Sequence, residues 1–158
     1  MKYRILKEEL YASNFEEIYT KLRKELTQNV LHLTQNEVVN ALSKTTESAI
    51  LAGYLVTLAK KELRTAEKEL DIEYSKWCLE AYKSLEDKLR EGLYVSTISK
   101  DIVKGWVYKL HGIKYNELKE RVNDIKLIVE ALEFFSSQYQ KRQENIQTQT
   151  RYLTKDIK

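Results

Sequence analysis

The sequence predicts an all-α fold: a long antiparallel, coiled-coil-like helical hairpin with smaller N-terminal helices. Three observations carry this. There is no proline and there are only four glycines in 158 residues, and any fold rich in turns needs more of both. Apolar side chains recur three and four apart through two long stretches, the period of one helix face. Charged residues make up 32% of the chain, which suits long solvated helices with narrow apolar seams better than a thick globule.

The first long stretch, about Thr46 to Arg90, organises the rest. Its stripe runs Leu51, Leu55, Leu58/Ala59, Leu63, Ala66, Leu70, Tyr74, Trp77, Ala81, Leu85 and Leu89. Lys, Arg, Glu, Gln and Asp fill the positions between, good helix formers that favour water. A helix of this length spans roughly 65–70 Å, so it needs a long antiparallel partner, from this chain or another copy.

Before it, residues 1–12 read as a helical turn or an arm. Ser13-Asn14-Phe15-Glu16 is a capping box, opening a helix to about His32 with Phe15, Ile18/Tyr19, Leu22, Leu26 and Val30 on one side. Thr34-Gln35-Asn36-Glu37 repeats the pattern, for a short helix or for the opening of the long one. Ser43 to Thr46 is the expected break, giving an N-terminal helical segment 1–45 and a hairpin 46–158.

Gly92 is the expected C-terminal stop of the first long helix. A short helix is expected over Ser99 to Leu110, ended by Gly112. The second long helix then runs from about Asn116 toward Leu153. Its seam is Leu118, Val122, Ile125, Val129, Leu132, Ser136, Tyr139, Gln143, Ile146, Thr150 and Leu153, a strict alternation of four and three. Phe134 and Phe135 widen the apolar face midway. The stretch from Gln138 to Thr150 holds five glutamines, a poor core that is expected to be frayed, exposed or stacked on other subunits.

The chain carries little sign of catalysis, so no enzyme activity, cofactor or metal is expected. His32 and His111 lie in different segments with no nucleophile to serve. The carboxylates have Lys or Arg close by at helical spacing, as on a solvated face. The glycines are isolated, so no phosphate-cradling loop exists. The single cysteine, Cys78, excludes an intrachain disulfide and reads as a small half-buried side chain beside Trp77. No run nears the ~18 apolar residues of a membrane span, and the N-terminus lacks an apolar signal core, so a soluble intracellular protein is expected.

Charge offers more. The net charge is +3. Residues 1–92 hold 15 basic and 16 acidic groups and residues 93–158 hold 12 and 8, so the excess lies in the C-terminal part. Lys60, Arg64 and Lys68 stand four apart and, with Lys61, form a basic ridge opposite the apolar stripe. Such a ridge can hold phosphates without reading sequence, unless Glu62, Glu67 and Glu69 neutralise it. Among eleven tyrosines, several adjoin cations: Tyr108 with Lys109, Tyr115 with Lys114, Tyr139 with Lys141/Arg142, and Tyr152 with Arg151/Lys155. Such pairs can stack single-stranded bases or simply edge a thin helical bundle with a buried ring and a wet hydroxyl.

From about Ala49 to Leu153 the order of features resembles the UvsY-type recombination mediators of tailed phages. The resemblance rests on LAKKELRTAEKELDIEY in the first long helix and on Lys100-Asp101-Ile102-Val103-Lys104-Gly105-Trp106-Val107. It continues through Tyr115 in IKYNELKERVNDIK to the closing FFSSQYQKRQENIQTQTRYL. His111-Gly112 and Trp106 depart from the family pattern, and residues 1–48 carry no likeness. The resemblance implies a non-enzymatic homo-oligomer in the cytoplasm of an infected bacterial host. Such a protein binds single-stranded DNA and helps a RecA-like recombinase displace single-strand-binding protein. It makes Lys60, Lys61, Arg64 and Lys68 the candidate DNA contacts. It makes Phe134, Phe135, Tyr139, Ile146 and Leu153, in the final amphipathic segment, the candidates for self-assembly. The alternative reading is a helical adaptor or inhibitor that acts through protein contacts.

Overall fold

The computed structural model describes residues 15–27, 34–93 and 97–155. Among them are three helices and no strand: α1 (Phe15–Leu26), α2 (Gln35–Arg90) and α3 (Lys100–Lys155). The all-α hairpin expected from the sequence is therefore what forms, with a smaller helix before it. Residues 1–12, the Ser13 capping box, His32 and Tyr94 to Ser96 lie outside the described residues, as do the side chains of Phe15, Ile18 and Tyr19.

Helix α2 opens at the second capping box. The Thr34 amide donates to Glu37 Oε2 at 2.8 Å, and the Thr34 hydroxyl donates to the same oxygen at 2.6 Å. These two bonds hold the Glu37 carboxyl below the usual carboxylate range. The helix ends where glycine was expected to stop it. Gly92 sits at φ 72°, its amide donates to the Leu89 carbonyl at 3.2 Å, and the Leu93 amide donates to the Lys88 carbonyl at 3.0 Å. This paired closure needs a left-handed residue that glycine adopts without steric cost.

Two expected breaks do not occur. Ser43 to Thr46 lie inside α2, which runs unbroken from Gln35. Thr45 is buried, and the Thr46 hydroxyl donates back to the Leu42 carbonyl at 2.8 Å. The two threonine side chains that would compete with the backbone in a loop are used up inside the helix and the bundle. Likewise Gly112 does not end a short helix. A single helix starts after Ser99, whose carbonyl accepts from the Val103 amide at 3.1 Å, and passes through Gly105 and Gly112. Each glycine costs about 1 kcal/mol in a helix interior, and the buried Val107 between them, packed with Trp77 and Ala81, outweighs that.

The chain forms two compact units, Met1–Glu62 with Ile125–Lys158, and Leu63–Asp124. In the first, α2 and α3 pair antiparallel: Gln143 reaches back to Thr46 and Glu133 to Lys60. Leu22 of α1, Val38, Ala52, Leu55 and Ala59 of α2, and Ile125, Val129, Leu132, Tyr139 and Ile146 of α3 are buried. The α3 residues keep the four-three seam read from the sequence. A second buried row on α3, Ile128, Phe135 and Arg142, repeats every seven residues.

The far end of that row meets α1. Tyr139 donates its hydroxyl to the Leu22 carbonyl at 2.6 Å, and the Arg142 guanidinium donates to the Glu25 carbonyl. Ser48 of α2 donates to the Glu25 carboxylate. The glutamine-rich part of α3, expected to be frayed, exposed or stacked on other subunits, is helical throughout, with Gln140 and Gln147 exposed and Tyr139, Arg142 and Ile146 buried. Its buried polar groups dock on the last turn of α1, supplying donors to carbonyls at a helix end.

The second unit is a two-helix pair. Glu69 faces Arg121, Tyr74 faces Tyr115 and Glu80 faces His111, again an antiparallel register. Its core is Trp77, Ala81 and Val107, with Tyr74, Cys78, Val103, Trp106, Tyr115 and Leu118 packed against them. Leu89, expected on the buried stripe, is instead exposed.

Candidate nucleic-acid interface

The basic ridge divides at Glu62. Lys60 and Lys61 belong to the first unit, Arg64 and Lys68 to the second. Lys60 Nζ lies 2.6 Å from Glu133 of α3, so its charge is met from the opposite helix. Both partners are about half exposed, and such a surface pair contributes on the order of 0–1 kcal/mol. Lys61 is exposed and makes contacts of its own. Arg64 and Lys68 are exposed, and among the described residues no ion pair holds either.

The three glutamates that could cancel the ridge are placed differently. Glu62 is buried and engaged. Glu69 takes Arg121 at 2.9 Å. Glu67 is half-buried and engaged. One turn of free positive charge, Arg64 to Lys68, therefore remains on the second unit.

The tyrosines divide as well. Tyr139 is fully buried and is a structural donor, not a base-stacking platform. Burial, and then the Glu25 carboxylate, pushes its hydroxyl up to about 12. Tyr115 is half-buried, edge-on to Tyr108 with centroids 5.1 Å apart and tilted against Tyr74 at 5.6 Å. The hydrogen bond with Tyr108, then burial, raises its hydroxyl above the usual range. The cation over Tyr115 is Lys119, at 5.9 Å, and not its neighbour Lys114. Tyr108 and Tyr152 are exposed.

One cluster escaped the sequence reading. Trp106 has Lys88 of α2 4.4 Å and Lys109 4.7 Å from its ring centroid. Its indole Nε1 is buried and has no hydrogen-bond partner among the described residues. Nothing in the sequence pairs Lys88 with Trp106, because the two stand on different helices. Nearby, an open concavity of about 440 Å³ is lined by Tyr108 to Lys114 and by Glu117. His111 stacks on Trp77, centroids 5.1 Å apart and 9° from parallel, with Nε2 3.3 Å from Glu80. One ring face and the Nε2 edge are thus taken by structural contacts.

Of the residues assigned to self-assembly, Phe135, Tyr139 and Ile146 are buried within the first unit, Leu153 is half-buried, and Phe134 is exposed. Only Phe134 offers a large apolar surface to another copy. Among the described residues no group of His, Cys, Asp or Glu could hold a metal ion, and no helix is long and apolar enough to cross a membrane.

Comparison with protein families, curated proteins and solved structures found no match to this chain.

Proposed function

We propose that the protein is a non-enzymatic recombination mediator, a homo-oligomer that binds single-stranded DNA and assists loading of a RecA-like recombinase in phage recombination and repair. Arg64 and Lys68 carry the reading: two exposed cations one turn apart, with no ion-pair partner among the described residues. Exposed Tyr108 and the Lys88–Trp106–Lys109 cluster on the same unit support it. A flexible polyanion is held by neutralised phosphates and by stacking, without sequence readout. The likeness to UvsY-type mediators supplies the recombinase and the single-strand-binding protein as partners. Weak binding per subunit, multiplied by avidity in an oligomer, keeps the strand available for handover.

Binding of a fluorescent oligonucleotide at rising salt tests this. The affinity falls with salt, and Arg64→Ala with Lys68→Ala reduces the salt slope by about 1 to 2. Absence of binding at about 50 mM salt removes the proposal. The adaptor reading draws on exposed Phe134 and predicts a protein partner whose affinity ignores both cations.

A further inference from the structure

The second unit leaves a second apolar row uncovered. Ile72, Leu79, Tyr82 and Leu89 of α2 stand seven, three and seven residues apart, with Ser75 and Glu86 filling the intervening steps. That is the four-three spacing of a coiled-coil seam, yet all four are between 42% and 59% exposed. The unit's own seam runs elsewhere on the helix, through Tyr74, Trp77, Ala81 and Leu85. Single exposed apolar residues are ordinary, but an aligned row marks a contact surface.

The row has a charged border. Lys76, Lys83 and Arg90 also repeat every seven residues. They stand one residue past Ser75, Tyr82 and Leu89, at the position that flanks a coiled-coil seam. Lys76 and Arg90 hold only local exposed partners, Glu73 at 2.7 Å and Glu86 at 3.4 Å. Lys83 has no ion pair among the described residues. Local pairs of this kind are weak and yield to a partner that buries the row.

The border also selects the occupant. Two copies of this row packed antiparallel would set the cations of one against those of the other. Packed parallel, they would meet Asp71, Cys78 and Leu85, of which Asp71 alone is acidic and Leu85 is buried in the unit's own seam. A nucleic acid would find one aromatic ring, Tyr82, among aliphatic side chains. We infer that this face of α2 docks an amphipathic helix of a partner protein that carries carboxylates along the edge of its apolar stripe. The inference stands apart from DNA binding, because it uses neither Arg64 nor Lys68.

The test uses the full chain and two synthetic peptides of about three heptads, alike in their leucine seam, one edged with Glu and one with Lys. Anisotropy shows the Glu-edged peptide binding at least about tenfold more tightly. The charge reversals Lys76→Glu, Lys83→Glu and Arg90→Glu together invert that preference with the apolar row intact. Leu79→Gln with Tyr82→Gln abolishes peptide binding, while helicity and oligonucleotide affinity are unchanged. If the double variant loses helicity, the charge reversal alone decides. Equal affinity for the two peptides, or binding of neither, overturns the inference. So does loss of oligonucleotide binding in the double variant with helicity intact, which makes the surface a nucleic-acid site. A fall from dimer to monomer in that variant makes it a contact between copies and equally overturns it.

Discussion

The two units are built from the same pair of long helices, yet they solve burial differently. In the first, α3 carries two buried rows, and α1 is docked by Tyr139 and Arg142. In the second, two helices share a single seam, and the remaining apolar row of α2 faces solvent. A helix pair has one interface, so any second stripe is either covered by a third helix or left open to something outside the chain. The same contrast appears in the polar groups. The first unit buries hydroxyls and a guanidinium in hydrogen bonds, whereas the second keeps its cations at the rim of exposed or half-buried rings.

The largest test of this contrast is Trp77→Ala. It removes a large aromatic buried in the second unit's seam and costs about 3–5 kcal/mol. Hydrogen exchange should then quicken over 63–90 and 100–124 while the amides of α1 stay protected. Equal loss of protection in α1 would show that the units unfold together and erase the distinction.

Tyr139→Phe sharpens it from the other side. Loss of the bond to the Leu22 carbonyl costs about 1 kcal/mol, read as a lower thermal midpoint and faster exchange in α1 only. The same residue gives a pH signature. Its folded-state value near 12 lies above the ordinary 10.0, so the neutral hydroxyl is favoured by folding. That stabilisation is complete below about 10 and is lost as pH rises toward 12. Protection of α1 should fall across that window in the native chain and not in the phenylalanine variant.

The smallest effect belongs to the start of α2. The Glu37 carboxyl is held below its ordinary 4.5 by Thr34. Its contribution is present above that value and fades as pH drops through the lower folded one. Glu37→Gln should flatten this acid-side slope in a thermal melt, with little change at neutral pH.

Much of the fold was legible in the residues themselves. The four-three seam of α3 was readable because every position on it from Leu118 to Leu153 is buried or half-buried. Gly92 was readable because its left-handed φ is a local need. Gly112 and Ser43 to Thr46 misled for one reason: local propensity is a weak prior, and packing overrides it. The row Ile128, Phe135 and Arg142 was hidden by its last member, since an arginine reads as solvated until a helix end offers it carbonyls. The candidate site was legible only in part. Arg64 and Lys68 stand where spacing put them. The cancelling charge on Lys60 comes from Glu133 and the cation over Trp106 from Lys88, and neither partner is near in sequence.

The grip on α1 has an evolutionary corollary. Tyr139 and Arg142 hold main-chain oxygens, which every residue type supplies, so the identities of the exposed Lys21, Arg23 and Lys24 are irrelevant to the clasp. Substitution at these outward positions is therefore tolerated, while Leu22, the Glu25 carboxylate that takes Ser48 and the two α3 donors stay fixed.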